Sequence, residues 1–167
     1  MSLKGKKLGL AAALAVAVAA ALGVLNARGG GGVAPVNADG SGLALRGYDA
    51  VAYFREGQAV AGRAEFGHDW NGARWLFATD EAREQFAHSP EAFAPQYGGY
   101  CAWAVGHGYT ADGDPEAWKI VGGKLYLNYN RQVREMWEQD IPAYIAAGDR
   151  NWPRFLASRP EHKGGRK

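Results

Sequence analysis

Cys101 is the only cysteine in a chain of 167 residues, and the chain also holds four histidines. A thiolate is both a nucleophile and a soft-metal ligand. Cys101 follows Gly98-Gly99 and stands near the start of Tyr100–Val105, which reads as a helical segment ended by Gly106 or Gly108. A sulfur at a helix start sits beside backbone N–H groups without partners, and these favour the thiolate. His107 lies six residues further on, in a glycine-flanked loop, and His68 lies in an aromatic strand. Together the three offer a thiolate–imidazole set of the kind that suits Cu(I). The plainer alternatives are a small buried thiol, a packed histidine with satisfied nitrogens and a surface His107.

One thiol and two histidines do not close a metal site within one chain. A copper ion would therefore be held in a site shared across a homodimer, or in an open site that passes it to a metal-handling protein. The second reading is thiol redox chemistry, with Cys101 cycling through a sulfenic acid or mixed disulfide. The resolving thiol would then come from another molecule. The third is a non-catalytic module whose aromatic-rich body docks a partner or small ligand, with Cys101 structural.

Other signatures are missing. The sequence has no C-x-x-C, no C-x-x-C-H, no phosphate-cradling glycine loop and no G-x-S-x-G elbow. Asp112-Gly113-Asp114 resembles a fragment of a calcium loop whose remainder is missing, and it reads as a turn. His88 reads as a helix C-terminal charge, and His162 belongs to the tail.

The elements that must position these groups have clear signals. Asn71-Gly72 joins Glu65–Trp70 to Ala73–Ala78 as a hairpin with a type I′ turn. The two-residue loop sets Trp70 opposite Ala73, His68 opposite Trp75 and Phe66 opposite Phe77 on one face, with Asp69 opposite Arg74 on the other. Gly122-Gly123 makes a second hairpin, with Trp118, Ile120, Leu125 and Leu127 on one face. Thr79 caps a helix running to about His88, Pro90 starts a short helical turn, and Pro95 ends it. Asn130 caps the last helix, which Pro142 breaks or restarts near Asp140. Leu43–Arg46 and Ala50–Phe54 read as short strands. The fold class is thus α+β: a small domain of antiparallel hairpins with short helices.

The domain occupies roughly residues 43–155. Before it come a leader, 1–28, and a Gly/Pro/Asn-rich linker, 29–42; a polar tail, 156–167, follows. The leader has a basic start and an apolar run, Leu8–Leu25, the pattern of a signal peptide. The same run is nearly long enough to act as an uncleaved membrane anchor. Either way the body is expected in the periplasm or outside the cell, touching membrane only through its N-terminal segment. The formal net charge is +2, with Lys4, Lys6 and Lys7 in the leader and Lys163, Arg166 and Lys167 in the tail. Without an interior basic stripe, nucleic acid is not an expected partner.

Three segments carry a family resemblance: Gly47-Tyr48-Asp49-Ala50-Val51-Ala52-Tyr53-Phe54, Tyr97-Gly98-Gly99-Tyr100-Cys101-Ala102 and Gly123-Lys124-Leu125-Tyr126-Leu127-Asn128. Together with Asn151-Trp152-Pro153 they resemble the exported bacterial YHS domain-containing proteins, over about Leu43 to Pro153. Ala50 stands where that group often has proline. The resemblance implies a small α+β domain related to those beside heavy-metal transport ATPases and in some multicomponent monooxygenases, where it is thought to bind metal. The group includes members with selenocysteine in place of the cysteine. That exchange suits a reactive or soft-metal-binding chalcogen and has no use in core packing, so the resemblance implies a functional Cys101.

Overall fold

A computed structural model describes residues 32–157. The leader and most of the polar tail lie outside the described residues.

Asn71 and Gly72 adopt φ of 51° and 82°, the left-handed pair that a two-residue hairpin turn requires. They fold β1 (Arg63–Trp70) antiparallel onto β2 (Ala73–Phe77), with Trp70 opposite Ala73, Asp69 opposite Arg74 and His68 opposite Trp75, as expected. Asp69 and Arg74 pair at 3.1 Å on the exposed face. The register then departs from expectation. A bulge sets Arg63, not Phe66, opposite Phe77, because the stretch from Arg63 to Gly67 spans a single step of β2. The Arg63 guanidinium lies 5.2 Å over the Phe66 ring.

Thr79 Oγ1 accepts the Ala82 N–H at 3.1 Å and starts a helix over Asp80–His88. Its one fully buried side chain, Phe86, fills the inner face of the hairpin. The Phe86 ring lies 4.8 Å from Trp75, 5.0 Å from Phe77 and 5.7 Å from Trp70, centroid to centroid. A further helical turn, Pro90–Phe93, follows.

The segment before β1 is not a pair of strands. Leu45 and Arg46 take φ of 51° and 50°, which an extended chain cannot hold, and Leu45–Gly47 is a tight 3₁₀ turn. Leu43, Ala44 and Tyr48 make isolated bridges, to Arg74, Ala38 and Ala61. The buried Asp49 then accepts the N–H of Val51 at 2.8 Å and of Ala52 at 3.3 Å. That cap turns the chain into a helix, α1 (Ala52–Arg55), where a strand was expected. In chain order the two later helices are α2 (Asp80–His88) and α3 (Pro90–Phe93).

The second half is built around another hairpin. Gly122 and Gly123, at φ of 57° and 74°, join β3 (Asp114–Val121) to β4 (Lys124–Asn128). Ile120 faces Leu125 and Trp118 faces Leu127, the register the turn predicts. Asp112 does not sit in a free turn: it bridges Tyr100, and Asp114 opens β3. The two hairpins are separate two-stranded sheets.

Between them lies the short helix α4 (Ala102–Gly106), with Cys101 as its N-cap residue. Asn130 Oδ1 accepts the Val133 N–H at 2.8 Å and caps α5 (Arg131–Trp137). After a 3₁₀ turn, Asp140 Oδ1 accepts the Ala143 N–H at 3.2 Å as the chain restarts in α6 (Ile141–Ala157), close to where Pro142 predicts. Asn151 of α6 donates to the Val105 carbonyl at 2.8 Å, tying α6 to the end of α4.

Residues 33–42, part of the expected linker, lie on the body. Val33 N–H bonds to the Phe155 carbonyl, Asn37 N–H bonds to the Gly98 carbonyl at 2.8 Å, and Val36 is buried. Among the described residues no helix is long and apolar enough to cross a membrane.

Candidate functional site

Cys101 is locked in place from both sides. Its N–H donates to the Ala111 carbonyl at 2.8 Å, and it bridges Leu127 of β4. Before it, the chain reverses through Tyr97, Gly98 and Gly99, all at positive φ. Gly98 also permits a close approach, since a Cβ there would run into the Pro35 carbonyl oxygen. This explains the two glycines ahead of the cysteine: they turn the chain so that Cys101 enters the core. The expected helical start is displaced by two residues, because Tyr100 and Cys101 are held by their bridges and α4 begins at Ala102.

The residue is 0 % exposed. Its S–H donates weakly to Asn128 Oδ1, at 3.8 Å. The same oxygen accepts the Trp103 N–H at 3.1 Å, which fixes which end of the Asn128 amide is oxygen. The backbone N–H groups of Ala104, Tyr129 and Trp103 are turned toward the sulfur and favour its anion, although none closes into a capping hydrogen bond. Burial acts the other way and prevails, so the thiol is pushed above its ordinary value. The expectation of a thiolate favoured at rest is therefore corrected: the N–H groups are present, but desolvation outweighs them.

Two buried polar groups in this part of the fold have no partner. Asn128 is 0 % exposed, and its Nδ2 makes no hydrogen bond. The Tyr109 hydroxyl is likewise buried and unpaired. Tyr109 reaches this position because its N–H bonds the Ala104 carbonyl at 3.2 Å and its ring sits edge-on to Trp103. Burial, then the charge of Cys101, push the Tyr109 phenol up to about 12. A buried donor without an acceptor costs about 1–3 kcal/mol.

The two histidines do not join this cluster. His107 ends α4, exposed, with its ring 3.9 Å from that of Trp103 and its Nδ1 2.8 Å from the Trp103 carbonyl. The pitch of α4 accounts for this: His107 follows Trp103 by four residues and stacks on it instead of reaching Cys101. His68 faces Phe86 on the first hairpin, with ring centroids 6.1 Å apart. Among the described residues no group of three or more His, Cys, Asp or Glu side chains converges to hold a metal ion.

Asn128 and Tyr109 escaped the sequence reading. Asn128 is 27 residues from Cys101, and only the β4 bridge brings them together. The available signal was a lone amide ending the otherwise apolar stretch Leu125-Tyr126-Leu127. Tyr109 gave none.

A separate open groove of about 460 Å³ lies away from the thiol. Trp70 and Trp75 of the first hairpin, Tyr97 and Trp152 line it, with the exposed Lys124 and Asp149. Tyr97 donates to Asp149 Oδ1 at 2.9 Å.

The fold and site define a small α+β domain of two antiparallel hairpins with a buried single thiol. No protein-family model, curated protein or solved structure matches the chain.

Proposed function

We propose that this chain is an exported, YHS-like domain whose chemistry is the reversible oxidation of Cys101. The observation that carries this reading is the shell around the sulfur. The backbone N–H groups of Ala104, Tyr129 and Trp103 lie toward an atom that has no contact with solvent, and Asn128 Oδ1 accepts its S–H. Apolar neighbours alone would serve a packing cysteine. N–H groups stabilise negative charge as it develops on sulfur during attack on an electrophile. Burial restricts that attack to small reagents, or to moments when α4 opens locally. As the chain has one cysteine, reduction must come from a thiol on another molecule.

Copper binding draws less support. Among the described residues Cys101 has no histidine or carboxylate set beside it, and a site shared between two chains needs a thiol at the surface. A module that binds a partner or small ligand has one specific observation in its favour, the aromatic groove, whose size falls in the range of small-molecule sites. Export, by cleaved signal peptide or uncleaved anchor, rests on the N-terminal sequence pattern.

The test is oxidation of the reduced, folded protein by dilute hydrogen peroxide, beside a Cu(I) titration. One oxygen added at Cys101 and removed by a small thiol supports the reading. Stoichiometric copper binding that Cys101→Ser abolishes, without peroxide reactivity, would replace it with the metal reading.

A further inference from the structure

We propose that the basic tail, residues 158–167, is the ligand of the aromatic groove, so that the chain occupies its own site. This goes beyond the redox reading and does not depend on it. Charge points to the tail. Residues 32–157 hold sixteen acidic and eleven basic side chains, while the tail holds Arg159, Lys163, Arg166 and Lys167 against Glu161 alone. The groove shares the acidic excess of the body: Glu91 and Asp149 line it, both exposed, with Lys124 as the one basic side chain of the lining. A cation docked there also meets aromatic rings, since Trp70 and Trp152 are only half-buried.

Connectivity points the same way. Asp149, Trp152, Pro153 and Leu156 follow one another at helical spacing, so one stripe of α6 forms a wall of the groove. The tail starts two residues after Leu156, and Pro160 lacks the N–H that a further helical turn would use. Asp149 lies about 10 Å back along α6 from Leu156. Seven extended residues cover about 23 Å, so Lys163 has the reach to pair with Asp149. Tyr97 bonds Oδ1 of that carboxylate and holds it at the groove.

The experiment titrates a labelled synthetic peptide of residues 158–167 with the full chain and reads fluorescence anisotropy. Three forms are compared: the wild type, Arg159→Glu with Lys163→Glu, and that tail variant with Glu91→Gln and Asp149→Asn added. Glu91 and Asp149 are exposed, and asparagine keeps an oxygen for the Tyr97 hydroxyl. At the roughly 1 mM effective concentration of a short tether, a contact with a Kd of about 0.1 mM is self-occupied about tenfold. The peptide is therefore expected to bind the tail variant about tenfold more tightly than the wild type, and to lose that binding when the groove carboxylates are neutralised. Equal binding to the wild type and the tail variant overturns the inference, because the groove is then open. So does a tail variant that binds no peptide, or binding that neutralising the groove leaves unchanged. None of these outcomes touches Cys101, so the redox reading stands or falls on its own test.

Discussion

Replacing Cys101 by serine and by alanine sets the polar shell against simple core packing. In an apolar environment alanine is the better tolerated, because a buried hydroxyl without partners costs about 1–3 kcal/mol in mutational data. Here the shell reverses the order. A serine hydroxyl at position 101 faces Asn128 Oδ1, which lies 3.8 Å from the sulfur and bonds the hydroxyl after a small shift, and the N–H groups of Trp103 and Ala104 at the N-cap of α4. Each such bond returns about 0.5–1.5 kcal/mol, and a serine N-cap is worth about 1 kcal/mol over alanine. Cys101→Ser is therefore expected to cost under about 1 kcal/mol. Cys101→Ala strips the shell of its central atom and leaves a small void, costing about 2 kcal/mol. Urea denaturation under reducing conditions measures both. With a slope of about 1–3 kcal/mol per molar, a gap of 1 kcal/mol moves the midpoint by roughly 0.3–1 M. An alanine variant more stable than the serine variant by 1 kcal/mol or more would show that the shell is inert packing, and the argument for chemistry at this thiol would fail.

Burial holds the Cys101 thiol above its ordinary value of 9.0, so its alkylation in the folded protein is expected to accelerate only on the alkaline side of that value. Rates across a pH series, compared with the denatured chain, check this; a folded-state profile shifted to acid pH contradicts it. The same shift makes the thiol's contribution to stability complete below pH 9, where it is protonated in both states, and lost as pH rises through its folded value. Phe86→Ala removes the ring on which Trp70, Trp75 and Phe77 converge. It is expected to cost about 3–5 kcal/mol, a large part of a stability of about 5–15 kcal/mol, read as a large fall in urea midpoint; a change under 1 kcal/mol contradicts that packing.

Local signals carried much of this fold. Asn71-Gly72 and Gly122-Gly123 set the two hairpins, and Thr79 and Asn130 placed two helix starts, because each acts through its own backbone within a few residues. The errors came where a distant or unusual contact decided the outcome. Leu43–Arg46 and Ala50–Phe54 read as short strands, yet the left-handed Leu45 and Arg46 and the Asp49 carboxylate convert them to a turn and a helix. The pairing of Phe66 with Phe77 failed because a bulge leaves no mark in a hydrophobic pattern. The site was half legible. Glycine spacing pointed to Cys101 and to N–H groups near its sulfur. Its depth of burial, and the approach of Asn128 from β4, depend on how the second hairpin packs against α4, which no local spacing encodes. His107 and His68 were attractive as residue types, but α4 stacks one on Trp103 and the first hairpin turns the other toward Phe86.

Whether the enclosed thiol reacts is read from the intact mass of the folded, reduced protein after brief exposure to hydrogen peroxide. One oxygen is expected at Cys101, retained while the protein stays folded, removed by a small thiol and absent in Cys101→Ser. A Cys101 that remains a thiol until the domain is unfolded, and gains oxygen only then, would contradict it.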